Sequence, residues 1–210
     1  GSIFFNQGES CNAPSRLFVE ESIKDAFLEK ALALVPQYQP ANPLEKSTVM
    51  GAIVDQVQLD NVLRYIALGQ SEGARLLAGG QQALLDSGGC YVQPTVFDGV
   101  TNQMTIAREE IFGPVLSVLS FTDARDVVRQ ANQSVYGLQA GVWTRDLNKA
   151  HGVARALRAG TVHVNQYDED DITVPFGGFK QSGIGRDKSL HAFDKYTEIK
   201  TTWLRIDSPV

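Results

Sequence analysis

The run Pro114 to Phe121 (PVLSVLSF) is nearly continuous in apolar residues, as a strand covered on both faces would be. Strand-like and helix-like stretches alternate on either side of it. Arg16 to Glu20 (RLFVE) alternates like a short strand and runs into Glu21 to Val35, where Ile23, Ala26, Phe27, Ala31 and Leu34 fall at helical spacing. Pro36, Pro40 and Pro43 predict a loop, because each lacks an amide donor and restrains its predecessor. Asp55 to Ser71 reads as a second helix, with Val57, Leu59, Val62, Leu63 and Ile66 apolar and Gly73 closing it. Ala74 to Ala78 is a strand ending at Gly79 and Gly80, and Tyr91 to Phe97 is β-prone but carries Pro94, which places it at a sheet edge or in an extended segment. After the apolar run the pattern predicts a helix over Thr122 to Asn132, a strand over Gly137 to Thr144, a helix over Asp146 to Arg158 and a strand over Gly160 to Asn165. A last helix, Asp187 to Tyr196, leads to an outer strand over Glu198 to Ile206. Such alternation implies parallel pairing with right-handed crossovers, hence a layered α/β fold with a largely parallel sheet and flanking helices.

At 210 residues and 43% hydrophobic, the chain can bury one substantial core, and a single domain is the default. The net charge of -5, with acids and bases mixed along the chain, argues against a nucleic-acid or anionic-membrane surface and favours small or polar neutral partners. No apolar stretch approaches a membrane span, and the N-terminus lacks the basic-then-apolar pattern of a signal peptide. Cys11 and Cys90 are far apart, and His151, His163 and His191 have no partners at metal-ligand spacing, so neither a disulfide framework nor a metal site is expected. A free thiol suits a reducing cytoplasm.

Of the two cysteines, Cys90 reads as structural. Cys11 sits in FFNQGESCNAPSR among small and polar neighbours, Gly8, Ser10, Asn12 and Ala13, which leave room for a substrate. Locally, a nucleophile and a small buried side chain near a turn are equally consistent with that stretch. Glu109 and Glu110 alone read as a solvated pair, and Phe112 as core.

FFNQGESC, together with REEIFGPV (Arg108 to Val115) and PFGGFKQSGIGR (Pro175 to Arg186), resembles the signatures of the aldehyde dehydrogenase superfamily, in the same order. The resemblance covers essentially the whole chain and implies a Rossmann-like catalytic domain spanning 1–210, the C-terminal portion of a longer enzyme whose cofactor-binding domain lies outside these residues. It implies NAD or NADP as cofactor and Cys11 as the nucleophile that adds to an aldehyde. The resulting thiohemiacetal loses hydride to leave a thioester, which water hydrolyses. The oxyanion donors would be the amide of Cys11 and an asparagine upstream of Gly1, and the general-base glutamate is also upstream.

By the same resemblance Glu110 holds the nicotinamide ribose hydroxyls, Phe112 lies beside the nicotinamide, and Gln58 makes a polar contact to that ribose. Asn61 departs from the lysine of several members. Phe176 lines the substrate tunnel, Ser10 and Asn12 flank the nucleophile on the substrate side, and Glu198 stands near the catalytic water or its relay. The glycines of PFGGFKQSGIGR have the wrong spacing for a phosphate loop and instead let backbone pass closely beneath the site. The segment 196–210 would join subunits of a homo-oligomer, a dimer or tetramer.

The stretch from Asn165 to Thr201, with its acidic loop Asp168 to Asp171, resembles the γ-glutamyl-γ-aminobutyraldehyde dehydrogenases. Read alone, this run of four acids is a solvated face; at the distal end of the substrate, where the resemblance places it, carboxylates at Asp168 and Asp170 would favour a cationic group on the aldehyde. The chain alone is expected to be inactive as a dehydrogenase. Two other readings are a cofactor-independent thiol acyl-transferase or esterase, and a non-enzymatic subunit-association module.

Overall fold

The computed structural model describes residues 1–167 and 171–207. In chain order its elements are β1 (Arg16–Glu20), α1 (Lys24–Leu34), α2 (Gln56–Ser71), β2 (Arg75–Ala78), β3 (Gln82–Ala83), β4 (Tyr91–Val92), β5 (Thr95–Asp98), α3 (Thr105–Arg108), β6 (Val115–Phe121), α4 (Ala124–Asn132), β7 (Tyr136–Gly137), β8 (Gln139–Val142), α5 (Leu147–Ala156), β9 (Thr161–Val164) and β10 (Phe179–Lys180).

The apolar run is an inner strand, as its composition requires. The main sheet has the order β1-β6-β5-β2, with β6 parallel to both β1 and β5 and β2 antiparallel at the edge. Side chains of a strand point alternately to opposite faces, and the two faces bury different clusters. Phe97, Val115 and Leu119 pack with Leu59, Val62 and Ile66 of α2. Val96 and Val118 pack with Val19, Leu28, Val35 and Met50, and this second cluster also takes in Ile3 and Phe4. Burial on both sides makes β6 the centre of a layered, largely parallel α/β fold.

Helices α2, α4 and α5 start where short acceptors cap them. Asp55 accepts from the Gln58 amide, Asp123 from those of Arg125 and Asp126, and Asp146 from those of Asn148 and Lys149. The helix expected over Glu21 to Val35 begins with a 3-10 turn, Glu21–Ile23, and gives way at Val35 to another that carries Pro36 at its start.

Several sequence expectations are corrected. The segment Tyr91 to Phe97 is not one edge strand: it divides into β4, in a two-stranded pair with β3, and β5, and Pro94 falls between them, where its missing amide costs the ladder nothing. Thr95 then donates to the Pro114 carbonyl at 2.8 Å and β5 enters the sheet interior. The strand expected over Gly137 to Thr144 splits at Leu138 into β7, antiparallel to β10, and β8, parallel to β9. The expected helix over Asp187 to Tyr196 is only a 3-10 stretch, Leu190–Lys195, entered through left-handed Lys188 and Ser189. Glu198 to Ile206 forms no strand among the described residues, because no described strand offers it a ladder partner. Ile199 and Trp203 are 101% and 93% exposed.

Candidate active site

The turn that carries Cys11 is built from unusual backbone. Asn6, Gln7 and Gly8 have φ of 48°, 58° and 75°, a left-handed run that L-residues adopt only when held there. Three contacts hold it. Gln7 Oε1 accepts from the Gly51 amide at 3.0 Å, and Glu9 Oε1 accepts from the Val54 amide at 3.1 Å. Gly8 lies flat against the loop before β6, where an added Cβ would sit 2.2 Å from the Gly113 carbonyl oxygen. On the far side of the cysteine, the Tyr167 hydroxyl donates to the Asn12 carbonyl at 2.7 Å, and its ring stacks on Trp143.

This framework leaves Cys11 exposed, and its amide makes no hydrogen bond among the described residues. The thiol opens onto a cavity of about 310 Å³ shared with Leu138, Phe176, Ser182, Asp187, Lys195 and the glycine-rich loop. Cys11 and Phe176, predicted for the same site, are thus brought together. Phe176 is pinned by a pair of main-chain bonds with Asp187, at 2.9 and 2.7 Å. The glycines act by close backbone approach, as expected: a Cβ on Gly177 would lie 2.1 Å from the Gly185 carbonyl oxygen.

Asp187 and Lys195 escaped the sequence reading. They form an ion pair, and the contact to Asp187 raises the Lys195 ammonium above its usual range. Nothing but the position of Asp187 directly after PFGGFKQSGIGR marked it. Ser10 and Asn12 do not line this cavity; the Ser10 hydroxyl donates to Asn12 Oδ1, so the pair shapes the turn instead. Asp168 and Asp170 lie outside the described residues. Their neighbour Asp171 caps a local turn, with Oδ1 accepting from the Thr173 amide and hydroxyl, both at 2.7 Å. Glu198 is exposed in the irregular C-terminal segment and is not brought to Cys11.

On the other side of the turn is the loop 109–113. Glu109 is engaged by the Tyr65 hydroxyl at 2.8 Å, whereas Glu110 is exposed and makes no hydrogen bond or ion pair through its carboxylate among the described residues. That difference fits Glu110, rather than Glu109, for holding a diol such as a ribose. Phe112 is a non-glycine residue at φ 55°, partly exposed beside Gly113. Beneath the loop, the Gln58 side-chain amide donates to the carbonyls of Ile111 at 2.9 Å and Phe112 at 2.7 Å, so both of its hydrogens serve the protein's own backbone.

No helix among the described residues is long and apolar enough to cross a membrane. The chain matches the Aldehyde dehydrogenase family over residues 1–202. It is 48% identical over 206 residues to the NADP/NAD-dependent aldehyde dehydrogenase PuuC of Escherichia coli strain K12, covering 98% of this chain and 41% of that protein. To the human mitochondrial aldehyde dehydrogenase it is 46% identical over 205 residues, covering 98% of this chain and 39% of that protein.

Among solved structures, indole-3-acetaldehyde dehydrogenase AldA of P. syringae, in complex with NAD+ and IAA, superposes with a TM-score of 0.94 at 60% identity, covering 98% of this chain and 41% of that one. The γ-glutamyl-γ-aminobutyraldehyde dehydrogenase of Burkholderia cenocepacia J2315 superposes with a TM-score of 0.93 at 58% identity, covering 96% and 41%. The chain spans about two-fifths of the length of the relatives it matches. With its cysteine turn, its REEIFGPV loop and its glycine-rich wall all in the family's order, the chain belongs to the aldehyde dehydrogenase family.

Proposed function

We propose that this chain is the cysteine-bearing catalytic domain of an NAD(P)-dependent aldehyde dehydrogenase, in which Cys11 adds to the carbonyl carbon of an aldehyde. The observation that carries the reading is the exposed Cys11 thiol at the mouth of a cavity walled by Phe176. Addition converts a planar carbonyl into a tetrahedral carbon bearing an oxyanion. The unbonded Cys11 amide is one donor available to that oxygen. A bound nicotinamide would supply the hydride acceptor, leaving a thioester on Cys11 for water to cleave to the acid.

The exposed Glu110 carboxylate would take the ribose hydroxyls of that cofactor, with Phe112 against its ring. The rest of the dinucleotide site, the upstream asparagine and the general base belong to sequence outside these residues, so the chain alone should not turn over aldehydes.

The decisive test is Cys11→Ser in the full-length enzyme. Aldehyde oxidation should fall by roughly a thousandfold or more while cofactor binding persists. Oxidation at the original rate would overturn the reading.

We further infer an aminoaldehyde as substrate, its cationic end favoured by the acidic charge of Asp168 and Asp170. The relatedness to a γ-glutamyl-γ-aminobutyraldehyde dehydrogenase at 58% identity supports it. Replacing both by asparagine should lower kcat/KM for amino aldehydes relative to plain ones, and an unchanged ratio would remove the assignment. The exposed Ile199, Trp203, Leu204 and Ile206 support 196–210 as a surface that joins copies in a homo-oligomer. A reducing cytoplasm would keep Cys11 as the free thiol this chemistry needs.

A further inference from the structure

Helix α2 turns one face towards the loop 109–112, and the polar side chains on that face are linked in series. Arg64 donates from its guanidinium to Asn61 Oδ1 at 2.8 Å. Asn61 donates from Nδ2 to Gln58 Oε1 at 3.4 Å, and Gln58 donates from Nε2 to the carbonyls of Ile111 and Phe112 at 2.9 and 2.7 Å. Both ends of the series impose the same direction, because the two carbonyls can only accept. A guanidinium can only donate, so Asn61 must turn its oxygen towards Arg64 and its NH2 towards Gln58. Gln58 must then accept through its oxygen, which leaves its own NH2 facing the two carbonyls. If either amide were flipped, two oxygens or two NH2 groups would face one another. Arg64, itself stacked 4.2 Å over the Tyr65 ring, thus closes the outer end of a series whose orientation is the same read from either end.

The loop needs such a restraint. Phe112 sits at φ 55° without being glycine, a conformation that costs of order 1 kcal/mol and persists only where neighbours hold it. The same helix supports the next residue, since a Cβ on Gly113 would fall 2.5 Å from Val62 Cγ2. It also fixes Glu109 through the Tyr65 hydroxyl. Among residues 109–112, this leaves the Glu110 and Phe112 side chains facing outward on a backbone restrained from beneath.

We propose that Arg64, Asn61 and Gln58 form an oriented relay that pre-sets the loop 110–112, with Gln58 a positioning residue that acts through main chain. This deepens the cofactor reading above and rests on it. Ordering the loop before the dinucleotide arrives removes a conformational penalty from binding, so the relay should show in cofactor affinity and leave the aldehyde side untouched.

The test uses the full-length enzyme with NAD+ and a fixed aldehyde. Gln58→Met, Asn61→Leu and Arg64→Met should each raise KM and Kd for NAD+ about three- to tenfold, the size of one lost hydrogen bond, with kcat within about twofold and aldehyde KM unchanged. Gln58→Glu should be as weak as Gln58→Met or weaker, because a carboxylate cannot donate to the two carbonyls. Arg64→Lys, which still donates, should retain near-original affinity.

The proposal is overturned if only the Gln58 variants lose affinity while Asn61→Leu and Arg64→Met do not, because Gln58 would then act on the cofactor directly. It is equally overturned if aldehyde KM and melting temperature shift along with NAD+ affinity, which would mark a general loosening. Glu110→Gln is the separate control: unchanged NAD+ affinity there would remove the cofactor reading itself, whatever the relay variants do.

Discussion

The stretch from Arg16 to Phe121 and the stretch after Gln133 are held together differently. The first closes a four-stranded sheet between two layers, and its inner residues, Leu59, Val62, Phe97, Val115 and Val118, have no contact with water. In the second, short strand pairs and glycine-on-backbone contacts do most of the work, and Ala150 is the one buried hydrophobic residue among those described beyond Leu119. Cys11 lies where the two meet. Its turn is fastened to the dense half through Gln7, Gly8 and Glu9, whereas most of the cavity it opens onto, including Phe176 and Asp187, belongs to the sparse half. The contrast teaches a division of labour: the turn of Cys11 takes its position from a close-packed core, and the cavity wall facing it comes from the part with fewer buried side chains.

The comparison is broken most forcefully at Gly8. Alanine there would drive a methyl into the Gly113 carbonyl and keep a left-handed φ, so about 3 kcal/mol or more should be lost in urea denaturation of this chain. A loss below about 1 kcal/mol would show that the turn is not fastened as described.

Second comes Asp98, 2% exposed at the end of β5, which accepts from Lys24 at 3.2 Å and Arg75 at 2.5 Å. Burial disfavours its charged form most strongly as a single influence, yet the combined donors from Arg75, the Gly99 amide and Lys24 outweigh it and hold the carboxyl below its usual range. Asp98→Asn should cost about 2–3 kcal/mol at pH 7, less than for a fully enclosed pair because Arg75 is largely exposed. Because the folded pKa is depressed, this stabilisation is present above the unfolded carboxylate pKa of about 4 and is lost as pH falls through the folded value. The gap between variant and parent should therefore narrow below about pH 4.

A smaller effect is expected at the junction itself. Tyr167→Phe removes the bond to the Asn12 carbonyl, should cost about 1 kcal/mol, and should speed alkylation of Cys11 without altering the dense half. Native-state hydrogen exchange sharpens the same contrast, with amides of β5 and β6 expected to be at least about tenfold better protected than those of β8 and β9. Smallest of all, Trp203→Ala should change the stability of this chain by less than about 0.5 kcal/mol, since the side chain is 93% exposed.

The dense half was largely legible in the sequence because its signals are local and repeated. The apolar run of β6 and the 3.6-residue spacing of α2 each act through neighbours a few residues away. Pro94 misled because a missing amide matters only if it falls on a ladder position, and the two residues between β4 and β5 move it off. The C-terminal stretch misled for the opposite reason: EIKTTWLRI alternates well, but alternation describes a strand's faces and not its partners.

Cys11 and Phe176, which line one cavity, were named through motifs, as were Glu110 and Phe112 of the loop 109–113. The occupation of Gln58 was not, because it depends on a carbonyl more than fifty residues away that sequence spacing does not reveal. The same holds for Asp187, whose place in the cavity comes from the fold of the glycine-rich loop back towards Phe176.

Gly8 meets Gly113 with main chain against main chain, and no side chain intervenes to be exchanged for a longer or shorter one. The spacing between the sulfur-bearing turn and the loop of Phe112 is accordingly closed to gradual adjustment by substitution. Variation of the cavity beside Cys11 is steered to the opposite wall, where side chains such as Phe176 can be exchanged while the sulfur stays put.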